Sequence, residues 1–79
     1  MDRDVLDRDL LDAHERYDQE ALVRLYTIAA DERELAQDID AACFYLTHAF
    51  VFALEAGAPE ADNLNQRLAE RGRAHRLEF

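Results

Sequence analysis

The chain is predicted to be all-α: four helices in two antiparallel hairpins, with an apolar third helix at the centre. Three observations predict it. Gly and Pro together supply only three of 79 residues, too few for a many-turned β architecture. Ala, Leu, Glu, Arg and Gln, all good helix formers, dominate the composition. Apolar residues recur at three- and four-residue intervals along most of the chain.

The first helix is expected from Arg3 to about Arg16, with Leu6, Leu10, Ala13 and Tyr17 as its buried stripe. The aspartates at 2, 4, 7 and 9 suit the positive end of its dipole. Asp18 is placed to cap the second helix, expected from Gln19 to about Ala36. Its buried side would be Leu22, Leu25, Tyr26, Ala29 and Ala36, with Arg24, Asp31, Glu34 and Gln37 on the wet side. Asp38-Ile39-Asp40 opens the third helix, and Gly57 followed by Pro59 stops it. The fourth runs from Pro59 or Glu60 to about Arg71, with Ala61, Leu64 and Leu68 facing inward and Gly72 closing it. Residues 1–72 are read as one domain. Residues 73–79 are read as a frayed tail in which Leu77 and Phe79 could dock.

The third helix contains a run without charge, Ala41 to Leu54. A helix apolar all round must be covered all round. The run is shorter than the roughly 20 residues that span a bilayer. So its neighbours sandwich it, or a second chain covers it. Ala42, Leu46, Ala49 and Ala53 share one side, where three alanines permit close helix approach. Phe44, Tyr45, His48, Phe50, Val51 and Phe52 are the candidate partner-binding residues on the others.

The net charge is −9. Residues 1–40 hold 13 acidic against 5 basic side chains. Such a surface repels phosphate backbones and argues against nucleic acid as a partner. It suits an Arg- or Lys-rich protein instead. Arg67, Arg71, Arg73 and Arg76 could supply that complement from a second copy. Cys43 is the one cysteine, so no internal disulfide can form. The N-terminus lacks the apolar core of a signal peptide. A cytoplasmic location, with no membrane contact, is the expectation.

Chemistry is sparse. There is no Ser, Lys or Trp, which excludes serine nucleophiles, Schiff bases and the P-loop. The missing Ser also separates this chain from acyl carrier proteins, which are small, acidic and helical. His14-Glu15-Arg16-Tyr17-Asp18 has the spacing of a zinc-binding helix with Asp for the second His, but Asp18 falls at a helix break. No Glu has a His three residues later, as di-iron bundles require. Cys43 and His48 point apart on one helix. No enzyme activity, metal site or cofactor is expected. His48 is the polar exception in the apolar run, and a buried neutral imidazole there would make the fold or assembly pH-sensitive.

Asp18-Gln-Glu-Ala-Leu-Val-Arg-Leu-Tyr and Asp38-Ile-Asp-Ala-Ala-Cys-Phe-Tyr-Leu are similar: an acidic cap, Ala three residues on, then a Leu/Tyr pair. With Tyr17, Ala21, Leu25 and Ala29 in one unit and Leu46, Ala49, Ala53, Gly57, Ala61 and Leu64 in the next, the chain resembles tetratricopeptide-type and Sel1-like helical repeats. It departs from them where the aromatic-x-x-Leu-Gly opening and the Pro closing the first unit are missing. Its internal offset is 20 residues rather than about 34. The resemblance implies a two-repeat scaffold that binds protein or peptide. Self-association, as a homodimer, would supply the neighbours that two repeats lack. The alternative is an acidic inhibitor or antitoxin-like regulator that occludes a basic surface.

Overall fold

The computed structural model describes residues 2–77 and consists of four helices. They are α1 (Arg3–Glu15), α2 (Gln19–Leu35), α3 (Ile39–Ala56) and α4 (Glu60–Glu70). There is no strand among the described residues. Each helix packs on the next in the chain, and α2 with α3 is the most extensive pair. The result is a slab, 32 × 29 × 13 Å in Cα extents. Its thin direction is less than half of either of the others.

The turns explain the regularity. Tyr17, Gln37, Gly57 and Gly72 all take the left-handed conformation, at φ 53°, 60°, 64° and 71°. After each, the next amide donates back to a carbonyl five residues earlier: Asp18 to Ala13, Asp38 to Arg33, Ala58 to Ala53 and Arg73 to Leu68, all at 2.9–3.0 Å. This is the Schellman closure. Asp18 and Asp38 then cap the next helix, accepting from the Ala21 and Ala41 amides at 3.1 and 3.2 Å. The 20-residue similarity is therefore a repeated helix stop and helix start.

Two apolar clusters form the core. Val23, Ala30, Cys43, Leu46, Ala49, Ala53, Leu64 and Leu68 join α2, α3 and α4. Leu6, Ala13, Leu22, Leu25 and Ala29 join α1 to α2. Tyr26, Tyr45 and Phe52 pack against both. The small Ala42, Ala49 and Ala53 are at most 1 % exposed, as close approach of α2 to α3 demands.

Four expectations need correction. Tyr17 is 89 % exposed, because it occupies a turn and leaves the α1 stripe. Ala36 lies past the end of α2 and is exposed. Glu34, expected on the wet side, is half-buried under arginines of α4. The tail leaves the helix but is tied down over residues 73–77. Asn65 is fully buried on α4. Its Nδ2 donates to the His75 carbonyl at 2.9 Å. Its Oδ1 accepts from Arg76 at 2.6 Å and from the Leu77 amide at 2.7 Å. Arg73 reaches Asp40 at 2.5 Å, and Arg76 pairs with Asp62. Phe79 lies outside the described residues, and Leu77 remains 45 % exposed.

Candidate functional site

The third helix is 18 residues long with mean hydropathy 1.3, longer than the charge-free run. By length and composition it matches a membrane-crossing helix. Its inner side packs into the core described above. Its outer side is open. Phe44, Val51 and Leu54 are 59, 44 and 45 % exposed. Thr47 stands between them, with its hydroxyl turned back to the Cys43 carbonyl at 2.8 Å. Positions 44, 47, 51 and 54 follow the three-four spacing of a coiled-coil seam. These four side chains make an apolar ridge along the exposed edge of α3.

Beside the ridge lies a cluster of six rings from three helices. Tyr26 of α2 is at its centre. It stacks with His48 at 5.1 Å, Phe52 at 5.9 Å and Tyr45 at 6.2 Å between ring centroids. His14 of α1 meets Tyr26 and Phe52 edge-on at 5.9 and 5.7 Å. Its Nε2 lies 2.8 Å from the Tyr26 hydroxyl. Phe44 closes edge-on over His48 at 4.6 Å and Tyr45 at 5.5 Å. Burial, and then the adjacent Tyr45 phenol, raise the Tyr26 pKa above its ordinary value. Tyr26 therefore stays a neutral hydroxyl throughout the physiological range. Each such aromatic contact adds about 0.5–1.5 kcal/mol beyond burial, so the cluster fixes α1 and α3 on α2 and holds the ridge in place.

The six sequence-predicted residues divide accordingly. Phe44 and Val51 are on the exposed ridge. Tyr45, His48 and Phe52 are half-buried in the ring cluster. Phe50 is half-buried against the α2–α3–α4 core, away from the ridge. Leu54 belongs to the ridge and was not among the candidates. Its spacing from Val51 and Phe44 was the available signal. The zinc-like segment is dispersed: His14 turns to Tyr26, and Asp18 is engaged as a cap and by Arg16 at 3.1 Å.

The charged surface divides too. Arg67 bridges Asp31 and Glu34 of α2, both at 2.6 Å, and Arg71 reaches Glu34 at 3.1 Å. Burial alone would raise the Glu34 pKa, but hydrogen bonds from Arg67 and Arg71 outweigh it and lower the value. With Arg73 on Asp40 and Arg76 on Asp62, all four C-terminal arginines are paired within the chain. The excess of acid falls on α1 and the start of α2.

Comparison of the chain with protein-family models, with curated proteins and with solved structures finds no match.

Proposed function

We propose that the protein is a small protein–protein interaction module, a helical-repeat-like scaffold that self-associates through the outer ridge of α3. The observation that carries this reading is the ridge itself. Phe44, Val51 and Leu54 lie exposed along one line, at the spacing by which helices interdigitate. The slab shape supports it. A domain normally closes its core between two layers, and in this flat one the outer side of α3 is left uncovered at Phe44, Val51 and Leu54. A second copy laid against α3 would give the apolar ridge its second layer. The repeated turns support the scaffold reading, since they produce the one-dimensional stacking of consecutive helices that repeat proteins use.

The test is molar mass by light scattering after gel filtration, across a hundredfold concentration range. A dimer that dissociates on dilution is expected, and V51E should hold the chain at monomer mass with its helicity intact. A monomer at every concentration overturns the self-association. Salt gives a second check. A seam this apolar, between chains of like charge, should tighten as salt rises.

A second reading has its own observation in favour. The C-terminal arginines are already paired, so the acids Asp4, Asp7, Asp9 and Glu15 have no ion-pair partner among the described residues. They would form the acidic face of a regulator that covers a basic surface. Such a complex would weaken with salt, the opposite of the ridge dimer.

A further inference from the structure

α2 and α4 run in the same direction, both antiparallel to α3: Gln19 bonds Glu55 at one end, and Arg73 bonds Asp40 at the other. Their backbones stay more than 8 Å apart between Cα atoms, and side chains bridge the space between them. At their C-terminal ends Arg67 fills the gap, clamped between Asp31 and Glu34. At their N-terminal ends no side chain among the described residues bridges it. A groove of about 810 Å³ opens there, lined by the start of α2 and the connection from α3 into α4. Its apolar lining includes Val23, Ala56, Ala58 and Pro59. The hydroxyl of Thr27, also in the lining, is turned away to the Val23 carbonyl at 2.7 Å.

Glu20 comes to this groove from α2 and Glu60 from α4. Neither has an ion pair among the described residues, and both are exposed. Of the other charged groups in the lining, Asp18 is engaged by its cap and Arg16, and Arg24 lies one turn beyond Glu20. The closed end of the same cleft shows what suits it: a guanidinium held by carboxylates. The open end has the carboxylates of Glu20 and Glu60 over an apolar floor, with Arg24 as the one cation in its lining, so that acids outnumber bases there.

We propose that the open end of the α2/α4 groove seats a cationic side chain, arginine or lysine, from a partner peptide, with small apolar neighbours of that residue on the Val23–Ala58 floor. Glu20 and Glu60 hold the cation from opposite sides. Charge complementarity favours this occupant over an acidic or neutral one, because the whole chain carries −9. The site is separate from the ridge on α3, and it stands whether or not the chain dimerises.

The experiment is an amide chemical-shift titration with the acetylated, amidated pentapeptide Ala-Leu-Arg-Ala-Leu, beside the same peptide with Gln for Arg. Saturable shifts are expected at the amides of 20–28 and 56–60. Affinity should be on the order of 100 μM at low salt and fall as salt is raised. The Gln peptide should bind about tenfold more weakly, and E20Q or E60Q should each weaken the Arg peptide roughly fivefold. Glu20 and Glu60 also sit in the first turns of their helices, where acids stabilise the helix itself. Binding, rather than thermal stability, is therefore the readout, with circular dichroism confirming the fold of each variant. Equal affinity for the two peptides overturns the proposal. So does undiminished binding to the E20Q/E60Q double variant, or the absence of saturable shifts at millimolar peptide. Shifts confined to Phe44, Val51 and Leu54 would assign the peptide to the ridge and overturn it too.

Discussion

Asn65 sits fully buried on α4 and makes three hydrogen bonds to the tail: one to the His75 carbonyl, one from Arg76 and one from the Leu77 amide. Truncating it to Ala removes all three bonds and frees the segment they hold. A loss of about 2 kcal/mol is expected, read as a lowered urea midpoint. N65A should also raise amide exchange over residues 73–77. Tyr17 is a residue of the opposite kind. It is 89 % exposed at φ 53°, in a conformation that costs a non-glycine residue roughly 1 kcal/mol. Nothing in its hydrogen bonding needs the side chain. Tyr17→Gly should therefore stabilise the fold by about 0.5–1 kcal/mol, and Gln37→Gly by a similar amount. The two sites are in different turns, so their gains should add in the thermal midpoint.

At the scale of the helices, the ends were legible because the chain marks them chemically. Asp18 and Asp38 cap where their sequence context placed them, and Gly57 before Pro59 stops α3. What could not be read was tertiary. Glu34 has the sequence surroundings of a solvent-facing residue, and only the approach of α4 brings Arg67 and Arg71 onto it. Asn65 lies on the same stripe as Leu64 and Leu68, but a polar residue at such a position carries no local sign of burial. Phe50 and Phe44 could not be told apart within a run apolar on every face; α2 and α4 decide which is covered. The Glu34 link also fixes a pH dependence. Its folded-state pKa lies below the ordinary 4.5. Its stabilising contribution is therefore fully present above that value and is lost as pH falls through the lower, folded one. E34Q should cost about 1 kcal/mol at neutral pH and flatten that part of the acid-unfolding curve, measured by urea midpoints from pH 7 to 3.

Across the whole molecule, stability should be graded rather than uniform. α2 and α3 share the largest contact and the deepest residues, including Leu46 and Ala49 at 0 % exposure. α1 touches the rest through one short stripe and the His14 rings. Hydrogen exchange should find α1 opening first and the α2–α3 pair last. L6A, expected to cost about 2–3 kcal/mol, should speed exchange in α1 more than in α3. Uniform acceleration would mean that the four helices open as one unit. The all-α architecture was thus readable from composition and periodicity. The ridge was only half readable, since Phe44 and Val51 were among the six candidates but the ring cluster needs α1 and α2 to exist.

The path of the tail has a practical corollary. With each turn reversing the chain, Asp2 lies at the end of the slab that holds the Gln37 turn, while the turns at Tyr17 and Gly57 occupy the other. Past Gly72 the tail doubles back along α4, so that Leu77 meets Asn65 at mid-helix and Arg76 reaches Asp62. Glu20, Pro59 and Glu60 are at the end that holds the Tyr17 and Gly57 turns. A tag, sensor surface or fused domain attached ahead of Asp2 would leave the groove pointing outward, whereas one attached after Leu77 would start from midway along α4, nearer the groove. Immobilisation through the N-terminal end should therefore reproduce the binding isotherm of the free chain, and immobilisation through the tail should weaken it.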